Sequence, residues 1–267
     1  MNHTINPVDP AAPYIGGKRL LAKKIIPIIQ SIPHKTYAEP FVGMGGVFLR
    51  RSEIPKAEII NDFSKDISTF FRILQRHYIP FMEMLKFQLT TRADFERLME
   101  TNPETLTDLE RAARFLYLQR TSFGGKVASR TFGITYDRPA RFDITKLAST
   151  LEDIHTRLSS VTIECLPYHE FIEKYNHNDY LFYMDPPYFN CEKDYGKNMF
   201  EKNDFIKLND ILTNLKGIFI LSINDNPAIR SIFQQFYIHE VETKYSIGHK
   251  GNVKANELLI SNRPLGI

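Results

Sequence analysis

On both flanks of the chain, short apolar runs alternate with stretches of helical pattern. In those stretches, such as residues 205–215, apolar residues recur every three or four positions. Five of these runs have the length of a strand: residues 36–39, 57–61, 161–165, 180–184 and 217–223. Strands that alternate with helices in this way are typical of a parallel sheet covered by helices on both faces. The pattern therefore predicts an α/β fold.

The two ends of the chain depart from this alternation. Residues 237–243 and 257–261 are strand-like runs separated by a glycine-containing turn at 248–252, which predicts a hairpin at the sheet edge. Residues 1–13 lack the basic and then apolar order of a signal peptide, and we expect a short flexible lead-in there.

The middle of the chain, residues 64–149, does not continue the strand and helix alternation. Helical spacing recurs in three stretches, residues 70–89, 92–99 and 107–118. The first of them is expected to break near Pro80. Residues 120–141 are rich in Gly, Ser, Thr, Arg and aromatic side chains, which predicts a loop or hairpin. The middle segment is therefore predicted to be mainly helical.

Positive charge is concentrated in the same middle segment. The whole chain has a net charge of +3, but residues 64–149 hold 14 Lys and Arg against 10 Asp and Glu, and residues 114–146 hold seven against two. Such a segment suits the phosphate backbone of a nucleic acid, with an ordinary solvated surface as the alternative. We predict one α/β domain from residues 1–63 and 150–267, with a nucleic-acid-binding domain inserted at 64–149.

Composition narrows the class of protein. Apolar residues make up 43% of the 267 and charged residues 24%, as in an ordinary globular protein. The sequence has no apolar run long enough to span a bilayer, and its two cysteines, Cys165 and Cys191, favour a reducing cytoplasm over a disulfide framework. The eight histidines show no metal-ligand spacing, so we predict no metal requirement.

Residues 39–46, Glu-Pro-Phe-Val-Gly-Met-Gly-Gly, lie between a predicted strand and a predicted short helix at 47–51. Glycines at this point let the backbone turn sharply and approach a ligand at the carboxyl end of the strand. The next predicted strand ends in Asn61 and Asp62, and a carboxylate there can accept hydrogen bonds from both hydroxyls of a ribose. The pair favours an adenosine-containing cofactor, with a plain tight turn as the alternative.

A second motif, Asp185-Pro186-Pro187-Tyr188, follows the predicted strand at 180–184. An amino group conjugated to an aromatic ring becomes nucleophilic when acceptors bind both of its N–H groups, and Asp185 and the Pro186 carbonyl can supply them. Tyr188 offers a flat face on which a base can stack. The alternative is a rigid Pro-Pro loop with a capping Asp and a packed Tyr.

A third segment, Tyr14-Ile15-Gly16-Gly17-Lys18-Arg19, precedes a predicted helix and is not a P-loop, because the glycine spacing and the Lys-Ser/Thr ending are missing. In this order, the three segments resemble those of the DNA adenine methylase (Dam) family of amino-methyltransferases, and the likeness covers nearly the whole chain. Further matches are Phe115-Leu116-Tyr117-Leu118 with Arg120, and Glu257-Leu258-Leu259.

The resemblance implies a Rossmann-like methyltransferase sheet, S-adenosylmethionine as cofactor, and methylation of N6 of a flipped adenine in double-stranded DNA by a cytoplasmic enzyme of bacterial or phage origin. The catalytic residues are then expected to be Asp185, Pro186, Pro187 and Tyr188. The expected cofactor contacts are Tyr14, Gly17, Lys18, Glu39, Pro40, Phe41, Gly43, Gly45, Asp62, Phe63 and Asp185. The expected DNA contacts are Arg120, Phe123, Lys126, Arg130, Arg138 and Arg141.

The sequence departs from the family pattern in two places. Tyr14 stands where a compared family member has Trp, so the aromatic surface there is smaller. Gly124, Lys126 and Ala128 stand where members that read GATC commonly carry Asn, Leu and Arg. Because an Arg that contacts guanine through two hydrogen bonds is the commonest specific base contact, the resemblance does not carry GATC specificity over to this chain.

Three other functions stay open on the sequence: methylation of RNA or of a protein side chain, a non-catalytic DNA-binding relative, and a dinucleotide oxidoreductase. The basic segment before Asp185 favours DNA, and Lys18, Asp62 and Asp185 together favour an active enzyme. The turn at 43–46 lacks the Gly-x-Gly-x-x-Gly spacing of a dinucleotide oxidoreductase. The sequence indicates no oligomeric state.

Overall fold

The computed structural model describes residues 3–134, 139–191, 200–246 and 252–266. Within these residues, two short strands pair with each other, β1 (His3–Thr4) and β3 (Glu53–Ile54). A separate sheet has seven strands: β2 (Thr36–Glu39), β4 (Ala57–Asn61), β5 (Thr162–Glu164), β6 (Tyr180–Met184), β7 (Ile218–Asn224), β8 (Tyr237–Ser246) and β9 (Asn252–Ser261).

The strands of the large sheet lie in the order β5-β4-β2-β6-β7-β9-β8. The first five are parallel neighbours, and β9 runs antiparallel to both β7 and β8. The parallel part has the strand order of a doubly wound Rossmann-like sheet, which binds ligands beyond the carboxyl ends of its strands. The predicted α/β fold is confirmed, as is the terminal hairpin, whose strands extend beyond their predicted bounds.

Helices cover both faces of this sheet in the described residues. They are α1 (Ala22–Ser31), α2 (Lys65–Arg76), α3 (Tyr78–Leu85), α4 (Arg92–Glu100), α5 (Asp108–Thr121), α6 (Ile144–Leu158), α7 (Tyr168–Lys174), α8 (Lys202–Thr213) and α9 (Pro227–Ile232). Because successive side chains of a strand point to opposite faces, Tyr37 packs in the core with α1 to α6, whereas Ala38 packs in the core with α7 to α9. In the described part of the chain, no helix is long and apolar enough to cross a membrane.

The helices between β4 and β5 share the core on the first face of the sheet. Buried Ile67, Phe71 and Leu118 belong to the same apolar cluster as Ile60 of β4. Moreover, α6 runs across the predicted domain boundary at residue 149. The position of that boundary stays a prediction, and the shared core attaches the helical segment to the sheet.

The N-terminal segment is packed against the rest of the chain, so the prediction of a flexible lead-in is wrong for residues 3–13. Besides the pairing of β1 with β3, Ile5 N donates a 2.9 Å hydrogen bond to Ser52 O. Ala11 and Ala12 are buried in the core of the first face. Two small residues in a segment without periodicity carry no sequence pattern that predicts burial.

Two helix boundaries also differ from the prediction. The short helix expected at 47–51 is a single 3-10 turn, Phe48–Arg50. The break expected near Pro80 falls at His77, between α2 and α3. Pro80 lies in the first turn of α3, where its missing N–H costs no helical hydrogen bond.

Replacing Gly45 by Ala is expected to destabilise the fold more than the same change at Gly266. Both glycines have a positive φ, +77° and +67°, which costs an L-residue about 1–2 kcal/mol. An added Cβ would lie 2.9 Å from Leu49 Cγ at Gly45, whereas nothing lies within 4 Å at Gly266. Urea unfolding of both variants measures the difference, and equal losses would show that the turn has room for a side chain.

Candidate active site

Asp62, which follows β4, holds the glycine turn that follows β2. Gly43 N and Ser64 N donate to the two oxygens of the Asp62 carboxylate, each at 2.9 Å. Burial raises the pKa of Asp62 to about 6, although the two backbone hydrogen bonds act to lower it. The carboxylate therefore stays largely ionised at neutral pH and joins the turn to the neighbouring strand.

The segment before α1 crosses this turn and depends on two glycines. Gly43 has a φ of +52°, and a Cβ added there would lie 3.0 Å from the ring of Tyr14. A Cβ on Gly17 would lie 2.9 Å from the Tyr14 carbonyl oxygen. The absence of side chains at these two positions brings Tyr14 and Lys18 over the carboxyl edge of the sheet.

Asp185, directly after β6, reaches the same edge. Its Oδ1 lies 2.9 Å from Lys18 Nζ and accepts a 3.1 Å hydrogen bond from Ser222 Oγ on β7. Within the described residues Oδ2 makes no hydrogen bond, and the Asp185 side chain is 19% exposed. Burial raises the pKa of Asp185 to about 6, while the charge and the hydrogen bond of Lys18 lower it. Lys18 and Ser222 thus fix the Asp185 carboxylate through Oδ1, and Oδ2 of this largely ionised group is left to accept a hydrogen bond.

Lys18 is 3% exposed, and its ammonium contacts three side chains. Besides Asp185, Nζ donates to the Tyr188 hydroxyl and lies 3.7 Å from Glu257 Oε2 on β9. Burial, followed by the charges of Glu257 and Asp185, raises the pKa of Tyr188 well above its ordinary value. Tyr188 therefore acts as a neutral side chain.

Two cavities of about 280 and 430 Å³ meet at Asp185. Tyr14, Phe41 and Gly43 also line both of them. Of the other predicted cofactor contacts, Pro40, Asp62 and Phe63 line the first cavity, and Gly17, Lys18 and Glu39 line the second. Gly45 lines neither, because its open side faces Leu49 in the core. The structure thus brings nearly all of these residues together, and their contacts with a cofactor stay a prediction.

Glu39, the last residue of β2, is 2% exposed. Tyr37 OH donates a 2.6 Å hydrogen bond to its Oε2. Burial raises the pKa of Glu39 to about 8, even though the Tyr37 hydrogen bond lowers it. At neutral pH the side chain is largely protonated, so it can donate one hydrogen bond as well as accept others.

The residues predicted to contact DNA lie on α5 or on the loop after it, in the part of the chain that the structure describes: Arg120, Phe123, Lys126, Arg130 and Arg141. The three arginines donate to backbone carbonyls within the chain and thereby shape the loop. Phe123 and Lys126 are exposed. Arg138 lies outside the described residues. DNA contacts by all of these residues stay a prediction.

The loop after α5 is attached to the segment that carries Lys18. Buried Gln119 donates to Pro13 O at 2.8 Å and to Gly125 O at 2.7 Å, and Ile15 N donates to Gly125 O at 3.0 Å. A Cβ on Gly125 would lie 2.9 Å from the Pro13 carbonyl. Val127, two residues further along, lines the first cavity. The loop therefore borders the site directly.

Several residues that line the first cavity were not predicted from the sequence. Pro167, Tyr168 and His169 follow β5, and Asp204 and Lys207 lie on α8. A signal existed for the first group, because parallel strands end at one edge and a strand at 161–165 was predicted. The two α8 residues reach the cavity only through helix packing, which no local pattern indicates.

Neither metal-ligand geometry nor a disulfide is found in the residues that the structure describes. There, no group of three or more His, Cys, Asp or Glu residues is arranged to hold a metal ion. Cys165 and Cys191 are both exposed, and no disulfide joins them.

The doubly wound sheet, the acidic residue beneath a glycine turn and the Asp-Pro-Pro-Tyr loop at one edge define an α/β amino-methyltransferase. The chain belongs to the D12 class N6 adenine-specific DNA methyltransferase family, whose model matches residues 14–247. This membership confirms the resemblance drawn from the sequence and the predicted enzyme class. The protein is a site-specific DNA adenine methyltransferase.

Three of the relatives to which the chain is similar are type II methyltransferases. The chain is 26% identical over 278 residues to M1.LlaDCHI of Lactococcus lactis subsp. cremoris, with 95% of each chain covered. It is 23% identical over 251 residues to M.CviBI of Paramecium bursaria Chlorella virus NC1A, covering 92% of this chain and 95% of the relative. It is 26% identical over 299 residues to M.MjaIII of Methanocaldococcus jannaschii, covering 96% and 99%.

We expect the free energy of unfolding of Glu39→Gln to fall less with rising pH than that of the wild type. Because the folded-state pKa of Glu39 is raised to about 8 from 4.5, its contribution to stability is full below pH 4.5 and is lost as the pH rises through 8. The free energy of unfolding of the wild type should therefore fall across this window by up to a few kcal/mol more than that of the variant.

Urea unfolding at pH 5, 7 and 9 measures both slopes. Glu240→Gln, an exposed residue of β8, is the matched control and should keep the wild-type slope. A wild-type slope in Glu39→Gln would show that Glu39 is already ionised in the folded protein.

Proposed function

We propose that the protein transfers a methyl group from S-adenosylmethionine to N6 of an adenine flipped out of duplex DNA, with Asp185 as the acceptor that orients the amino group. One observation carries this proposal. Asp185 lies where two cavities meet, and Lys18 and Ser222 hold its Oδ1 while Oδ2 makes no hydrogen bond among the described residues.

The residues around the two cavities fit this cofactor. Phe41 and Tyr168, whose ring centroids are 5.6 Å apart, form an aromatic wall suited to a purine. Each oxygen of the Asp62 carboxylate accepts one backbone hydrogen bond and can accept another from a ribose hydroxyl. Lys18 and Glu39 line the second cavity with polar groups for an amino-acid moiety. When bound, the cofactor supplies an electrophilic methyl group on a positively charged sulfur.

The chain contributes acceptors and positioning to the reaction. The lone pair of the adenine amino group is delocalised into the ring, and acceptors on both N–H groups favour a tetrahedral, nucleophilic nitrogen. Asp185 Oδ2 and the Pro186 carbonyl are the two acceptors. Buried Pro186 and Pro187 stiffen the loop. Stacking of Tyr188 on the extruded base stays a prediction from the motif, because Tyr188 lines neither cavity and its hydroxyl and ring contact Lys18. The amino nitrogen gains the methyl group as the bond from that carbon to the sulfur breaks, which leaves the sulfur uncharged, and the nitrogen releases one proton to solvent.

Residues 64–149 serve as the target-recognition domain in this proposal. Lys126 is exposed on the loop that borders the first cavity, where it can contact a phosphate. Arg120, Arg130 and Arg141 already donate to carbonyls of the chain, which favours a role in shaping the loop. Exposed Phe123 is available to pack against the duplex beside the extruded base.

Replacing Asp185 by Ala should lower methyl transfer at least about 100-fold, because the amino group loses a charged acceptor. Binding of a duplex oligonucleotide should survive. Transfer of a radiolabelled methyl group to duplex DNA measures the first effect, and a filter-binding assay measures the second. Asp179→Ala, a half-buried residue at the opposite edge of the sheet, is the matched control and should keep full activity.

The same pair of proteins gives a decisive result in cells. Methylation-aware sequencing of DNA from cells that express the wild type should find N6-methyladenine in one sequence context, and cells with Asp185→Ala should lack it. Wild-type turnover in the variant would remove Asp185 from the mechanism. A labelled RNA or protein in place of labelled DNA would reassign the substrate.

Replacing Lys126 by Ala should lower the affinity for duplex DNA, and it should make that affinity less dependent on the salt concentration. The loss of one phosphate contact reduces the slope of log K against log salt by about 0.9. Fluorescence anisotropy at several salt concentrations measures this slope. Lys216→Ala, an exposed residue at the amino end of β7, is the control. Equal slopes for the wild type and Lys126→Ala would show that Lys126 contacts no phosphate.

A further inference from the structure

Glu257 is a buried carboxylate beside the proposed acceptor. It lies on β9, opposite Asn224 of β7, and is 1% exposed. Within the described residues, neither of its oxygens makes a hydrogen bond of standard geometry. The Tyr188 hydroxyl and the Lys18 ammonium lie beside this carboxylate, so what Glu257 does depends on those two groups.

The cation nearest to Glu257 belongs to the site. Lys18 Nζ lies 3.7 Å from Glu257 Oε2 and 2.9 Å from Asp185 Oδ1. The ammonium is therefore shared by two carboxylates, one on each side of β7. If Lys18 faced Asp185 alone, its full charge would lower the basicity of that carboxylate and weaken it as a hydrogen-bond acceptor.

We propose that Glu257 is a positioning residue that acts through Lys18: it holds the ammonium between two carboxylates and offsets its charge, so that Asp185 keeps the basicity of a strong acceptor while remaining ionised. This role rests on the proposed function of Asp185. Glu257 is not expected to touch the substrate, because it lines neither of the two cavities described above.

The charged and titratable groups that face Asp185 come from several elements: Lys18 before α1, Glu39 on β2, Tyr183 on β6, Tyr188 on its own loop and Glu257 on β9. Tyr183 and Tyr188 stay neutral because burial raises the pKa of each. Lys18 lowers the pKa of Asp185, and the negative charge of Glu257 raises it. Removing that charge should therefore lower the pKa of Asp185.

Glu257→Gln tests this role through the pH profile of the enzyme. The measured quantity is kcat/KM for duplex DNA at saturating S-adenosylmethionine, where ribose binding holds Asp62 in one state. The acid limb of the kcat/KM profile, where activity falls as the pH is lowered, should move to lower pH, because Asp185 then stays ionised at lower pH. The kcat at neutral pH should fall several-fold with little change in KM for DNA, because the acceptor is less basic. Glu240→Gln on neighbouring β8 should leave the limb and kcat unchanged.

A second variant keeps the test decisive. Glu257→Met removes the same charge and fills a similar volume with apolar atoms, while Lys18 keeps Asp185 as its counter-ion. Circular dichroism and thermal unfolding identify the folded variants. An unmoved acid limb, or one at higher pH, in either folded variant overturns the role of Glu257. Loss of folding in both variants also overturns it, since Glu257 is then structural.

Failure of the inference is distinguishable from failure of the proposed function. If the wild type transfers no methyl group to adenine in DNA, the proposed function fails. If the wild type is active and a folded Glu257→Gln protein has the same acid limb as the wild type, only the role assigned to Glu257 is wrong.

Discussion

Lys18 brings a positive charge into the protein interior at the carboxyl edge of the sheet. Burying an ammonium is costly unless carboxylates stand close to it, and Asp185 and Glu257 supply them at 2.9 and 3.7 Å. These carboxylates come from the loop after β6 and from β9, which lie on either side of β7 in the sheet. The two carboxylates therefore compensate the charge of Lys18 only if the segment before α1 crosses the sheet edge at β7.

The backbone of that segment is held from two sides. On the sheet side, Gly43 makes room for the Tyr14 ring, and the Asp62 carboxylate fixes the turn through Gly43 N. On the other side, Gln119 and Gly125 bind its carbonyl and amide groups. The proposed target-recognition loop and the proposed cofactor site consequently share one stretch of backbone.

The electrostatics of the edge follow from burial. Glu39, Asp62 and Asp185 all have a raised pKa, and desolvation is the first cause for each of them. Their local partners decide how far each value rises. Asp62 and Asp185 keep pKa values near 6, since backbone N–H groups or Lys18 stabilise their charged forms, whereas Glu39 reaches about 8. Perturbed carboxyl groups gathered at one edge are typical of a functional site rather than of a stabilising core.

Patterns within short stretches of sequence determined much of this protein. The five parallel strands, the glycine turn with Asp62 and the loop at Asp185 were predictable, because strand periodicity and turn chemistry depend on neighbours along the chain. The burial of Ala11 and Ala12, the use of Arg120, Arg130 and Arg141 within the loop, and the approach of Tyr168 and Asp204 to the cavity were not. The meeting of Glu257 with Lys18 shows the reason most clearly. The two residues are distant in the sequence, and only the placement of β9 beside β7 brings their charges together, since strand order is decided by packing across the whole sheet and not by local pattern.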